Sequence, residues 1–316
     1  MAEYIEPLLS QLLVDESKAY NKVLIGSKLF PMVTVHKPES KYPRYDRATA
    51  LHVPDTKLAS DGEANEDTSK ATMVDFSTVE HALRRTIPGD KMQFADGPFK
   101  VEPRRVSRSL MKKLELAKEK EIADLVKNLT DRNQALSGDG TTKTNVWSGS
   151  GGAPLEIAED ARNAMLMEPN VLILSKSVFN KLSEHPDILE KLPSSSHKVA
   201  DKKDLALIFK VDEVWVPDGQ ANMGALKQDE SANTSQIWGD VFIYAHVDLS
   251  DDLETVCVGK TAMLKYKEAN AGHYVVRQWR KKEGGVLGKD TVNQVGCSYK
   301  VLMQCPELIY CLKDVL

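Results

Sequence analysis

The residues whose types and spacing could do chemistry fall in a few places. Ser137-Gly138-Asp139-Gly140-Thr141-Thr142-Lys143-Thr144 combines glycines with a Lys-Thr pair, the materials of a phosphate-binding loop. Such a loop needs glycine directly before the lysine and a strand ahead of it, so that backbone N–H groups open onto a helix N-terminus. Here Thr142 holds the glycine position and a helical stretch precedes, so a flexible connector is the favoured reading. Ser148-Gly149-Ser150-Gly151-Gly152 lacks the glycines two residues either side of a serine that a nucleophile elbow requires. His36, His52, His81, His185, His197, His246 and His273 are scattered, with no HExxH and no His/Cys cluster of zinc spacing. Arg277-Gln278-Trp279-Arg280-Lys281-Lys282 could touch nucleic acid, but its alternation suits a β-ribbon with one wet face. Asp55, Asp61, Glu63, Glu66 and Asp67 could attract cations, yet they lack the layout of a calcium loop and read as a solvated charged loop. No catalytic, cofactor-binding or metal site is expected, and the chain reads as a non-enzyme.

The elements around these residues are dominated by one long helix. Between Arg104 and Ser137 there is neither proline nor glycine. Val106, Leu110, Leu114, Ala117, Leu125, Leu129 and Leu136, widened by Ile122 and Val126, recur at three- and four-residue steps. Glu115 with Lys118, and Lys120 with Asp124, stand where exposed helix pairs meet. Pro103 suits a first turn and Gly138 a left-handed stop. A helix over 104–137 would be about 50 Å long, more than a compact domain needs, so it reads as a spine.

The 316 residues allow two cores, and 41% apolar with 28% charged is the balance of a soluble globular chain. A net charge of −4 argues against nucleic-acid binding by bulk charge. No apolar run approaches the ~20 residues of a membrane span. MAEYIEPLLSQLL lacks the basic start and cleavage site of a secretory signal. Cys257, Cys297, Cys305 and Cys311 form no CxxC pair and read as free buried thiols.

In chain order, Ile5, Leu8, Leu9, Leu12 and Leu13 predict an amphipathic helical arm, and Leu29–Val35 a strand with a proline near its start. Residues 37–75 are a proline-containing, acidic, hairpin-like excursion, and 75–87 return to strand character. After the spine, 137–153 are a connector held by Trp147. Over 154–255 helical patterns alternate with strands at Val171–Leu174, Val211–Val216 and Ile237–Val247, which predicts a compact α/β unit. From Val256 onward the pattern is β, at Met263–Tyr266, His273–Trp279, Val295–Gln304 and Leu308–Leu312.

This order of parts resembles the tailed-bacteriophage major capsid proteins of the HK97-like fold. Leu29-Phe30-Pro31 with Lys41-Tyr42 and Tyr45-Asp46 is similar to the family's arm and the start of its extended loop. Phe99-Lys100-Val101-Glu102 and Leu116–Leu125 resemble its spine helix. Pro169–Ser175, Val178-Phe179, Leu182, His185–Leu189, Leu205–Phe209 and Ile237-Trp238-Gly239 resemble its axial domain.

The resemblance implies an α+β class with an N-terminal arm (1–36), an extended loop (37–75), a peripheral domain (76–153) carrying the spine helix (104–137), an axial α/β domain (154–255) and a return to the peripheral domain (256–316). It implies a structural subunit that self-assembles into pentamers and hexamers of an icosahedral shell around double-stranded DNA, without sequence-specific binding and without membrane contact. A portal, a separate scaffolding protein (only some thirty residues precede Phe30) and room for a decoration protein belong to the same implication. The location is the virion, assembled in the host cytoplasm. Some relatives weld loops through lysine–asparagine bonds. Lys57 and Lys70 lie in the loop, but no matching asparagine or glutamate is found, so no cross-link is expected. Two other readings stay open: an encapsulin-type cargo shell, and an α/β enzyme with a ligand loop at 137–152.

Overall fold

The computed structural model describes residues 4–5, 24–47, 57, 71–89, 91, 102–129, 133–135, 147, 153–192, 199–222, 234–250, 252–253, 255–266, 273–281, 289–313 and 315–316. Ahead of the long helix lie β1 (Tyr4–Ile5), α1 (Gly26–Leu29), β2 (Met32–Val35), β3 (Glu39–Arg44), β4 (Thr72–Ser77) and β5 (Val79–Ile87). The long helix is α2 (Pro103–Lys127), and β6 (Asn133–Ala135) follows it. Next come α3 (Pro154–Ala164), β7 (Val171–Leu174), α4 (Lys176–Ser183), α5 (Pro186–Lys191), α6 (Lys202–Ile208) and β8 (Glu213–Trp215). The remaining strands are β9 (Gln220–Asn222), β10 (Thr234–Gln236), β11 (Val241–Ala245), β12 (Gly259–Leu264), β13 (Val275–Arg280), β14 (Thr291–Met303) and β15 (Ile309–Lys313).

Two sheets carry most of the core. In the five-stranded one, ordered β6-β15-β11-β7-β8, every residue of β7 and β11 is buried. That is why both strands are written as unbroken apolar runs: each sheet face is covered. Successive side chains point to opposite faces. Leu172, Leu174, Phe242 and Tyr244 therefore meet Ile157, Val178, Leu182, Ile188 and Leu205 of helices α3 to α6. Val171, Ile173, Val241 and Ile243 meet Phe30, Ile122 and Val126 on the other side. Trp147 is held in the first of these cores: its backbone N–H donates to the Val315 carbonyl at 2.8 Å, and its ring lies edge-on to Phe242.

The six-stranded sheet runs β1-β13-β14-β12-β2, with β5 also paired to β14. Its pairs are antiparallel except β2 with β12. Helix α2 joins the two sheets. Its first half packs Val106, Leu110, Met111 and Leu114 on Ile87, Val276 and Val295 of the six-stranded sheet. Its second half puts Ile122, Ala123 and Val126 into the core shared with the five-stranded sheet. Strands β3 and β4 pair antiparallel, Glu39 opposite Ser77 and Arg44 opposite Thr72, and form the stem of the 37–75 excursion.

Several expectations are corrected. The helix stops at Lys127 with Asn128 as its C-cap, not at Ser137, and is about 37 Å long. Asn128, Thr130, Asp131 and Asn133 are poor helix formers, and Asn133–Ala135 gains a parallel ladder with β15 instead. The last strand, β15, pairs with β11, so the chain end returns to the α/β sheet and only β12 to β14 join the other. Tyr4–Ile5 is a strand on β13, where an amphipathic helix was expected. The rest of that arm pattern (6–23), most of the acidic loop and most of the 137–153 connector lie outside the described residues. Strand character over 75–87 is divided between β4 and β5 at Thr78.

Candidate functional site

The helix stripe read from the apolar residues alone is shifted. Ala117 is exposed, whereas Glu115, Lys118 and Glu119 are buried. The buried face follows 106, 107, 110, 111, 114, 115, 118, 119, 122, 123 and 126, and so runs through three charged residues. They sit where α2 passes from one sheet to the other.

Glu119 is the centre of that joint, 2% exposed. Its Oε1 accepts from the Ile25 N–H at 3.1 Å and from Trp238 Nε1–H at 2.7 Å, and its Oε2 accepts from the Gly26 N–H at 2.6 Å. One carboxylate thus ties the root of the N-terminal segment, the spine helix and the approach to β11. Gly26 admits it closely, because a Cβ there would run into the carboxylate. Gly239, at φ +66°, takes the left-handed turn that follows Trp238. Burial pushes the Glu119 carboxyl above its ordinary value, against the downward pull of the Trp238, Gly26 and Ile25 hydrogen bonds and of Lys118.

A second group lies one turn earlier. Lys118 Nζ and Glu115 Oε2 are 2.7 Å apart, and the Tyr274 hydroxyl of the segment entering β13 donates to Glu115 Oε1. Burial, and then the Glu115 charge, raise the Tyr274 hydroxyl well above its ordinary value. The Tyr299 hydroxyl of β14 donates to Glu121 at 2.9 Å, with His81 of β5 stacked on the Tyr299 ring. Together these contacts bind the middle of α2 to both sheets through ionic and aromatic groups. Their chemistry is mechanical, holding one relative orientation.

None of the sequence candidates gathers here. Of residues 137–144 and 148–152, and of the five loop carboxylates, none is among the described residues. Among the described residues no group of three or more His, Cys, Asp or Glu is placed to hold a metal ion, and no helix is long and apolar enough to cross a membrane. The basic run 277–280 is strand β13, paired on both edges. All four cysteines are buried and free. The one sequence signal that could have found the joint is the i+4 series 106, 110, 114, 118, 122 and 126, which places Lys118 on the apolar line.

A phage-related protein of Bordetella bronchiseptica RB50 shares this architecture with a TM-score of 0.71 at 21% identity, covering 100% of this chain and 99% of that one. A prophage capsid protein of E. coli CFT073 matches over 99% of both chains, at TM-score 0.52 and 11% identity. This chain has the HK97-like capsid fold. In sequence, the chain is similar to two phage major capsid proteins. That of Burkholderia phage BcepMu is 25% identical over 252 residues, 78% of this chain and 77% of the relative. That of Pseudomonas phage JBD67 is 23% identical over 303 residues, 91% of this chain and 90% of the relative. No family model matches the chain. In this HK97-like fold, the buried charges of α2 lie where the helix passes from one sheet to the other.

Proposed function

We propose that this chain is the major capsid subunit of a phage head. It self-assembles into pentamers and hexamers that enclose the double-stranded DNA of a tailed phage. The observation that carries the reading is an HK97-like frame over the whole chain, joined to similarity with phage major capsid proteins over 78% and 91% of it. In that role the five-stranded sheet with α3 to α6 is the axial domain, and the six-stranded sheet with α2 is the peripheral one. The β3–β4 stem supports the same reading. A two-stranded hairpin is marginal in water, and this one leaves Met73 56% exposed, with Val79 beyond it 51% exposed. Neighbouring subunits are what such a surface is built to meet. A separate scaffolding protein and a portal complete the assembly in the host cytoplasm, and the role is structural.

Electron microscopy of the purified chain, expressed with and without its neighbouring genes, tests this. Closed icosahedral shells of pentamers and hexamers, with a portal vertex when the neighbours are present, are expected. Small uniform shells loaded with an enzyme would assign the chain to the encapsulin type. Subunits that never close into shells would remove the reading. No thermal shift with nucleotides is expected; a clear one would revive the ligand-loop reading of 137–152.

A further inference from the structure

The α/β side of the molecule holds a cavity of about 160 Å³, where α3, the ends of α5 and α6, and β11 meet. Three cationic side chains reach it from three elements: Arg162 of α3, Lys191 at the end of α5 and Lys210 just past α6. Tyr244 of β11 lines it as well and is only 1% exposed. Leu155 and Phe209 supply apolar walls, beside which charges are screened less than on open surface. Glu159 is the one carboxylate among the lining residues, and it is exposed. Arg162 donates one N–H to Glu168 at 3.2 Å, out of the five that a guanidinium carries. Three cations thus face two carboxylates. The neighbouring stretches 148–152 and 193–198, outside the described residues, contain no aspartate or glutamate.

The backbone at Lys210 is a second, independent sign. Its φ of +55° is left-handed, the one such non-glycine among the described residues. Its N–H donates to the Leu207 carbonyl at 3.3 Å, and the Val211 N–H donates to the Ala206 carbonyl at 2.9 Å. These two bonds make a Schellman cap with Lys210 at its left-handed position, which glycine fills without strain. A lysine that served only the helix end could sit in the last turn of α6, where no basic residue stands. The buried hydroxyl is the third sign. Tyr244 donates to the Phe209 carbonyl over 3.4 Å, a long bond that holds its proton weakly. Burial pushes this hydroxyl far above its ordinary value, against the pull of Arg162, so it stays a donor at neutral pH.

We infer that this cavity binds a small oxyanion of the phosphate class. The planar fork of Arg162 and the two ammonium groups suit its charge and its oxygens, and the Tyr244 hydroxyl donates from the buried side. Pockets for drug-sized ligands run to about 300–1,000 Å³, so a nucleotide is excluded by size. The phosphodiesters of a duplex are tied into a chain on both sides and do not enter. The lining belongs to one chain, so binding does not depend on shells.

The test is equilibrium dialysis of the full chain against labelled inorganic phosphate, at neutral pH and fixed ionic strength. One saturable phosphate per chain is expected. Lys210→Gly should weaken binding about tenfold yet melt at or above the wild-type temperature, because glycine relieves the left-handed turn. Lys191→Gln should weaken it too, whereas Glu159→Gln, which removes the opposing charge, should tighten it. Lys181→Gln, exposed on α4 and outside the lining, should bind as wild type does. Excess adenosine monophosphate, or a duplex at equal phosphate concentration, should leave the label in place. Absence of saturable binding would overturn the inference. So would Lys210→Gly binding as wild type does, since the lysine would then be a helix cap alone. Weaker binding by Glu159→Gln, or an equal loss in Lys181→Gln, would do the same. Displacement by the duplex would place the label on open surface charge, and displacement by the nucleotide would refute the size argument.

Discussion

Replacing Glu119 probes the joint most directly. Glutamine keeps one oxygen, which can still accept from Ile25 N–H and Trp238 Nε1–H, but it turns an NH₂ toward the Gly26 N–H. A buried donor then faces a buried donor, and an unsatisfied group of this kind costs about 1–3 kcal/mol. Alanine strands all three donors and leaves a void. Relief from burying a charge offsets part of that, for a net loss of about 3–5 kcal/mol. Urea unfolding of free subunits, followed by circular dichroism and by tryptophan emission, measures both. The expected order is wild type, then Glu119→Gln, then Glu119→Ala, with coupling between Glu119→Gln and Trp238→Phe of about 1–2 kcal/mol in a double-mutant cycle.

The pH dependence has a definite sign. Burial raises the folded-state pKa of Glu119 above its unfolded value, so the folded chain holds this proton more tightly. The stabilisation from that proton is full below the unfolded pKa and is lost as pH rises through the folded one. The stability gap between wild type and Glu119→Gln should therefore narrow from acid toward neutral pH. Single variants within about 0.5 kcal/mol of wild type, or a gap that widens with pH, would refute the reasoning that Glu119 is a buried, costly and fully partnered tie.

Four further outcomes follow from the same contacts. Gly26→Ala forces a methyl against the Glu119 carboxylate and should cost about 1–3 kcal/mol in urea unfolding, a loss that Glu119→Ala in the same chain should shrink. Lys118→Ala leaves Glu115 buried without its cation and should cost about 3–5 kcal/mol, seen as a lower melting temperature; Lys120→Ala, from an exposed pair, should cost under 1 kcal/mol. Leu116→Pro breaks α2 between its two cores for about 3 kcal/mol or more; micrographs should show aggregates or open sheets, and regular closed particles would show that α2 is no rigid spine. Burial raises the thiols of Cys257 to about 11 and Cys297 to about 12; an aromatic disulfide reagent at pH 8 should find almost no reactive thiol in native protein and four after denaturation.

Local sequence determined the elements whose faces are uniform. Val171–Leu174 and Val241–Ala245 are unbroken apolar runs and became the centre of a sheet covered on both sides. The helix from Pro103 was legible from its composition, and so was the pinning of Trp147. The order of these parts carried the resemblance to the capsid fold. Tertiary structure decided where the helix ends, which sheet receives Ile309–Lys313, and which charges of Glu115, Lys118, Glu119 and Lys120 are buried. Periodicity sees only a residue's own helix, and on that helix Glu119 looks like any solvated glutamate. A carboxylate enters a core only when donors are waiting there. For Glu119 these are the backbone of Ile25 and Gly26, 94 and 93 positions away, and the indole of Trp238, 119 positions away. No window along the chain brings them together; the packing of two sheets against one helix does.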